Sequence, residues 1–225
     1  FTIRNINFDT REESSNQRPE LKEVKSIKNW TRKEVLLDFK FYIISLTMLA
    51  MPWIATGIFV YQSFISESKG WSAYTIPQSF MVYSIMSIIA LFLSGILVDK
   101  FTSRKLIPFM NLPLLLAMII LLFFKSPISS FIFLGLVGVS NGLANVLGSS
   151  TWAEIYGVRY IGSIKALTTS LMVFSTAFGT AIFGLLIDKG FSIEIIALVA
   201  AIYVVVSTIL LLFFRNALKP VILRE

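Results

Sequence analysis

The chain of 225 residues has no cysteine and no histidine. Their absence excludes thiol chemistry, disulfides, the common zinc sites and histidine-based acid–base catalysis. Charge is scarce as well, at 15% Asp, Glu, Lys and Arg against 56% hydrophobic residues. A water-soluble domain carries about 25% charged residues, so this chain is too apolar for water. The charge that remains is confined to a few short segments. After Lys40 the chain falls into six stretches with no charged residue at all, 41–66, 70–98, 106–124, 126–153, 166–187 and 195–214, with lengths of 26, 29, 19, 28, 22 and 20 residues. A bilayer core of ~30 Å is crossed by about 20 apolar residues of helix. None of the runs alternates as a barrel strand does, so a backbone in lipid satisfies itself here only as helix. The reading is an all-α membrane protein with six transmembrane helices over 41–214.

An intramembrane enzyme would need clustered His, Cys, Asp or Glu inside these runs, and they hold none. There is no Gly-x-Ser-x-Gly motif, and no filter sequence or charged ring suggests a channel. No cofactor and no metal are expected.

The basic residues are unevenly placed. Nine precede the first run (Arg4, Arg11, Arg18, Lys22, Lys25, Lys28, Arg32, Lys33, Lys40), and Lys100, Arg104, Lys105, Arg159, Lys165, Arg215, Lys219 and Arg224 fall in segments on the same side. The opposite side has Lys69, Lys125 and Lys189. Seventeen against three puts both termini in the cytoplasm and the chain in the cell (inner or plasma) membrane. It also accounts for the net charge of +7 without nucleic acid. Residues 1–40 read as a polar cytoplasmic linker, and 215–225 as a cytoplasmic tail. Thr31 with Glu34 forms a capping-box pattern. The helix near 31–39 is either an amphipathic piece in the membrane interface or the first turns of the following span.

One phrase occurs twice. Gly95-Ile96-Leu97-Val98-Asp99-Lys100 closes the second run, and Gly184-Leu185-Leu186-Ile187-Asp188-Lys189 closes the fifth, 89 residues on. Three spans separate them. An odd number inverts the topology, so the six helices form two inverted three-helix repeats, with Asp99 inside and Asp188 outside. Inverted repeats are the architecture of alternating-access transporters.

The loop Gly95-x-x-x-Asp99-Lys100-x-Thr102-x-Arg104-Lys105 resembles the cytoplasmic signature loop of the major facilitator superfamily, found between its eighth and ninth helices. Trp30–Glu34, Gly70-Trp71-Ser72 and Trp152–Gly162 are similar to bacterial members near the monocarboxylate and oxalate–formate branch. The resemblance implies half of a twelve-helix major facilitator fold, its C-terminal six helices, whose partners are an N-terminal six-helix half, the lipid bilayer, a small-molecule substrate and a coupling proton or ion. The superfamily usually has Gly where this chain has Thr102, so the turn is expected to be looser here. The branch typically carries an arginine in its eighth helix, and 70–98 has none.

Within the spans, candidate cavity residues are Trp53, Thr56, Tyr83, Asn141, Asn145 and Thr176. Each has a packing reading beside the functional one. Trp53 stacks on a solute or simply packs beside Pro52, where a kink is expected. Asn141 and Asn145 meet a solute or bond between helices. Thr176 lies on a stripe of small and hydroxyl residues suited to helix packing, as does the pair Gly138 and Gly142. Runs three and six, nearly all Leu, Ile, Val and Phe, should face lipid, with Asn111 structural. The resemblance casts Asp99 and Arg104, with Glu154 and Arg159, as a cytoplasmic latch between the two halves; the alternative is a solvated loop that only fixes orientation. Asp188 is the repeat counterpart in an outer loop. The expected function is a secondary transporter of a small organic solute. A non-transporting membrane sensor or assembly protein on the same fold is the alternative.

Overall fold

The computed structural model describes residues 26–219 and 221–223. Most of them are helix: α1 (Arg32–Leu37), α2 (Phe39–Val60), α3 (Gln62–Lys69), α4 (Thr75–Phe101), α5 (Ser103–Leu106), α6 (Leu112–Phe123), α7 (Pro127–Tyr156), α8 (Ile161–Asp188) and α9 (Ile193–Phe213). A two-residue antiparallel pair, Ser26–Ile27 with Ile222–Leu223, joins the two described ends. Six helical stretches are long and apolar enough to cross a membrane, the third being Ser103–Phe123 with its short 3-10 turn at Ile107–Phe109.

Two parallel pairs build the bundle. In α4 and α7, Val82 meets Gly135, Tyr83 meets Gly138 and Ser87 meets Gly142, both numbers rising together. In α2 and α8, Leu49 meets Ser175, Trp53 meets Gly179 and Gly57 meets Phe183. These pairs are one contact seen twice. Shifting Trp53 forward and Gly179 back by 89 residues lands on Gly142 and Ala90, and a Cβ on Gly142 would lie 2.7 Å from the Ala90 Cβ. The repeat thus extends from the loop phrase into the helix crossings. Small residues sit at each crossing because lipid offers no hydrophobic drive between helices; close backbone approach and hydrogen bonds take its place. Ser79 and Ser130 hydroxyls are 2.6 Å apart across α4 and α7. The Ser175 hydroxyl donates to the Leu49 carbonyl at 3.2 Å across α2 and α8.

The repeat is inverted in space. The end of α7 meets the start of α5, beside the end of α4, through Ser103 Oγ and Glu154 at 2.6 Å. The next helix, α8, starts at Ile161 and runs 28 residues, about 42 Å at 1.5 Å per residue. Asp188 therefore lies at the opposite end of the molecule from Asp99.

Helix α6 packs on α7 and α9, and α9 also packs on α2, with Leu116, Phe123, Ile202 and Phe213 left on their outer faces. The least covered spans are α4 and α8. Asn111 is fully buried and its Nδ2 donates to the Thr47 carbonyl at 2.7 Å. This ties the third span to the first.

Two local expectations, at Pro52 and at Thr102, meet a different outcome, and of the two readings of 31–39 the separate helix is the one seen. The first span runs unbroken through Pro52 and breaks instead at Tyr61, where α2 gives way to α3. Met48 and Pro52 both line a cavity, so the Met48 carbonyl that the proline ring leaves without a donor can be wetted there. Helix α1 is a separate element, because Asp38 adopts φ −87° and ψ 120° and caps α2 by accepting from the Lys40 N–H at 3.1 Å. The Asp99–Arg104 turn is not loosened by the lack of glycine. Thr102 itself takes the left-handed φ of 70° with ψ 142°, a region that strongly favours glycine.

Candidate functional site

A cavity of about 510 Å³ opens between α2, α4, α7 and α8. The inverted packing produces it. The parallel pairs close tightly at Gly138, Gly142 and Gly179, and the space between the pairs stays open. Thr56, Tyr83, Asn141 and Asn145 all line it. Asn141 bonds between helices, its Nδ2 donating to Ser87 Oγ at 2.9 Å, and it also lines the cavity. Asn145 Nδ2 donates back to the Asn141 carbonyl at 2.9 Å. Thr56 and Tyr83 hydroxyls have no hydrogen-bond partner among the described residues and are available to a solute.

Two candidates lie elsewhere. Trp53 is buried, its ring edge-on to Phe183 at 6.2 Å and to Tyr203 at 5.2 Å, so it holds α2 against α8 and α9. Thr176 is half-buried on α8 outside the cavity wall and donates to the Val173 carbonyl at 2.7 Å. Its neighbours Ser175 and Gly179 make the packing contacts of that stripe.

Two lining residues escaped the sequence reading. Lys165 is the one charged side chain on the cavity wall among the described residues. It was set outside the fifth run because that run was bounded by its own charge, yet α8 begins four residues earlier, at Ile161. Its helical spacing with Thr168, Thr169 and Met172, all on the same wall, is the signal that locates it. Ser45 is the second. It is buried, and its hydroxyl lines the cavity without a partner, so a polar group is held ready where burial without a bond is costly.

The charges at the Asp99 end do not form one cluster. Glu154 joins the α4–α5 loop to α7: it accepts from Ser103 Oγ at 2.6 Å and the Arg104 N–H at 3.0 Å, and Arg104 Nε stands 3.6 Å away. Arg159 sits apart, its N–H donating to Asn29 Oδ1 at 3.1 Å and its guanidinium 5.6 Å from the Tyr160 ring centre. Asp99 is exposed and has no ion pair or side-chain hydrogen bond among the described residues. A Cβ placed on Gly95, one turn before it, would meet nothing within 4 Å. Asp188 is likewise exposed at the far end of α8.

The family model of the Major Facilitator Superfamily matches residues 42–224. The chain belongs to that superfamily. No curated protein matches it significantly. As a superfamily member with six apolar spans it is a membrane transporter. Asp99, in the stretch that resembles the superfamily's signature loop, is exposed and without an ion pair among the described residues.

Proposed function

We propose that the protein is a secondary transporter that moves a small organic solute by alternating access. The carrying observation is the cavity of about 510 Å³ between the two inverted units, walled by free hydroxyls and two amides. Pockets of this kind, with a few placed polar groups on an otherwise apolar wall, fit a small ligand. Lys165 favours an anionic solute, since it brings a positive charge to the cavity wall and makes no ion pair among the described residues.

The Lys and Arg bias supports an orientation with the Asp99 end in the cytoplasm. The uncovered faces of α4 and α8 suit a second six-helix body, the N-terminal half, and Asp99 and Gly95 lie where that half would close. Asp99 then latches the closed inner gate by charge-assisted bonds. Arg104 and Glu154 shape the loop that presents it, and a proton or ion supplies the coupling.

The test is counterflow in proteoliposomes with labelled lactate, oxalate and glycerol. Saturable exchange of at least one solute is expected, and Asp99→Asn should cut the rate without lowering the amount of protein in the membrane. Exchange unchanged in Asp99→Asn removes the latch. No exchange of any organic solute by well-folded protein would favour the sensor or assembly reading.

A further inference from the structure

A second recess lies at the Asp99 end of the bundle, on its outer surface. It measures about 400 Å³ and is lined between α1, α2, α8 and α9, among others by Leu36, Tyr42, Leu46, Leu167 and Leu210. Its wall is almost wholly hydrocarbon. The Tyr42 hydroxyl donates to the Leu36 carbonyl at 2.8 Å, which fixes the end of α1 over the recess. Two residues before the lining residue Phe41, Phe39 packs edge-on against Phe214 at 5.9 Å. Lys40 and Arg215 follow these two rings in the sequence, at the same end of α2 and α9. Neither makes an ion pair among the described residues. The acidic groups nearby are already engaged: Asp38 with Tyr156 and the Lys40 N–H, and Glu34 with Lys28 at 2.8 Å.

We infer that this recess is a binding site for an anionic phospholipid. One acyl chain fills the groove and the phosphate is held by Lys40 and Arg215. A hydrocarbon slot beside two uncommitted cations matches a ligand with a long apolar tail and a negative head. The slot opens on spans whose outer faces are apolar, so the chain enters sideways from the bilayer. Anionic lipids attract such basic groups near a membrane surface. The site differs from the solute cavity, but the two share Ser45, Leu49 and Leu171 in their walls. A lipid seated in the groove therefore braces the seam between α2 and α8 along which the transport cavity opens.

The test measures binding of fluorescent phosphatidylglycerol to purified protein in neutral detergent, against phosphatidylcholine with the same chains and against glycerol 3-phosphate. Phosphatidylglycerol should bind more tightly than phosphatidylcholine, and glycerol 3-phosphate should not displace it. Lys40→Gln or Arg215→Gln should each weaken binding about 5-fold, and the pair about 30-fold. Filling the slot with Leu46→Phe, or with Leu167→Trp should the first variant fold poorly, should weaken phosphatidylglycerol at unchanged charge. Equal affinity for both lipids overturns the assignment. So does displacement by glycerol 3-phosphate, which would mean a phosphate site without a chain, and so does unchanged affinity in both slot-filling variants.

Discussion

Thr102 offers a test in which the structure and ordinary mutational experience point in opposite directions. Replacing a β-branched residue by glycine usually destabilises. Here Thr102 is the only non-glycine residue with positive φ among those described, at φ 70° and ψ 142°. Such a conformation costs on the order of 1–3 kcal/mol for a residue with a Cβ. It persists because its surroundings fix it on both sides. The Thr102 N–H donates to the Val98 carbonyl at 2.9 Å, and Ser103 and Arg104 are held by Glu154. The Thr102 hydroxyl makes no hydrogen bond among the described residues, so nothing is lost with the side chain. Glycine forfeits about 0.5–1 kcal/mol of chain entropy. The net expectation for Thr102→Gly is a gain of roughly 0.5–2 kcal/mol. At about 2–4 °C per kcal/mol for a chain of this size, that is a rise in Tm of roughly 1–8 °C. Thermal unfolding in detergent, followed by intrinsic fluorescence, measures it. Thr102→Val, which keeps the strain and loses the hydroxyl, should leave Tm unchanged. A Thr102→Gly protein no more stable than Thr102→Val would refute the strained turn.

Gly142→Ala should destabilise by about 1–3 kcal/mol, because its Cβ would lie 2.5 Å from the Ser87 carbonyl oxygen. Gly148→Ala meets nothing within 4 Å and should gain up to about 1 kcal/mol from helix propensity; equal Tm values for the two would contradict the α4–α7 crossing. At the other end, Lys69 is fully buried and 2.8 Å from the partly exposed Glu194. Glu194→Ala should cost roughly 2–3 kcal/mol by stranding the ammonium, and Lys69→Met with Glu194→Leu should recover most of it. A double variant as unstable as the single one would count against the pair. The Lys28 ammonium, and then the Thr31 N–H, hold the Glu34 carboxyl down from 4.5 to about 2. A lowered folded-state pKa means that the contact adds stability above about pH 4.5 and loses it as pH falls toward 2. Trp30, with Lys28 Nζ 4.3 Å from its ring centre, should show a fluorescence change in that window, and Glu34→Gln should abolish it.

The sequence made the membrane architecture readable because lipid leaves few choices. A charge-free run of 20 residues is a helix there, and the repeated Gly-to-Asp phrase fixed the relation between the units. Gly138 and Gly142 marked a packing face on α7, and the structure supplies α4 as its partner. The α8 side of the matching crossing was legible in its stripe of small and hydroxyl residues, but not its partner, since Gly179 faces Trp53 and no spacing rule announces that pair. The cavity residues were half legible. Tyr83, Asn141 and Asn145 stand out as polar groups in apolar runs, whereas Trp53 shows only in the structure as packing. Lys165 was missed because charge was used to end a helix that in fact continues past it. The ion pairs Arg104–Glu154 and Lys69–Glu194 join residues 50 and 125 positions apart, and no local pattern encodes such partners.

The transport account depends most directly on a cavity that opens to each side of the membrane in turn. The chain has no cysteine, so a single cysteine in place of Asn145 can be probed with a membrane-impermeant maleimide in right-side-out and inside-out vesicles. The account predicts reaction from both faces, with a transported solute shifting reactivity from one face to the other. Reaction from one face only, unchanged by any solute, would contradict it.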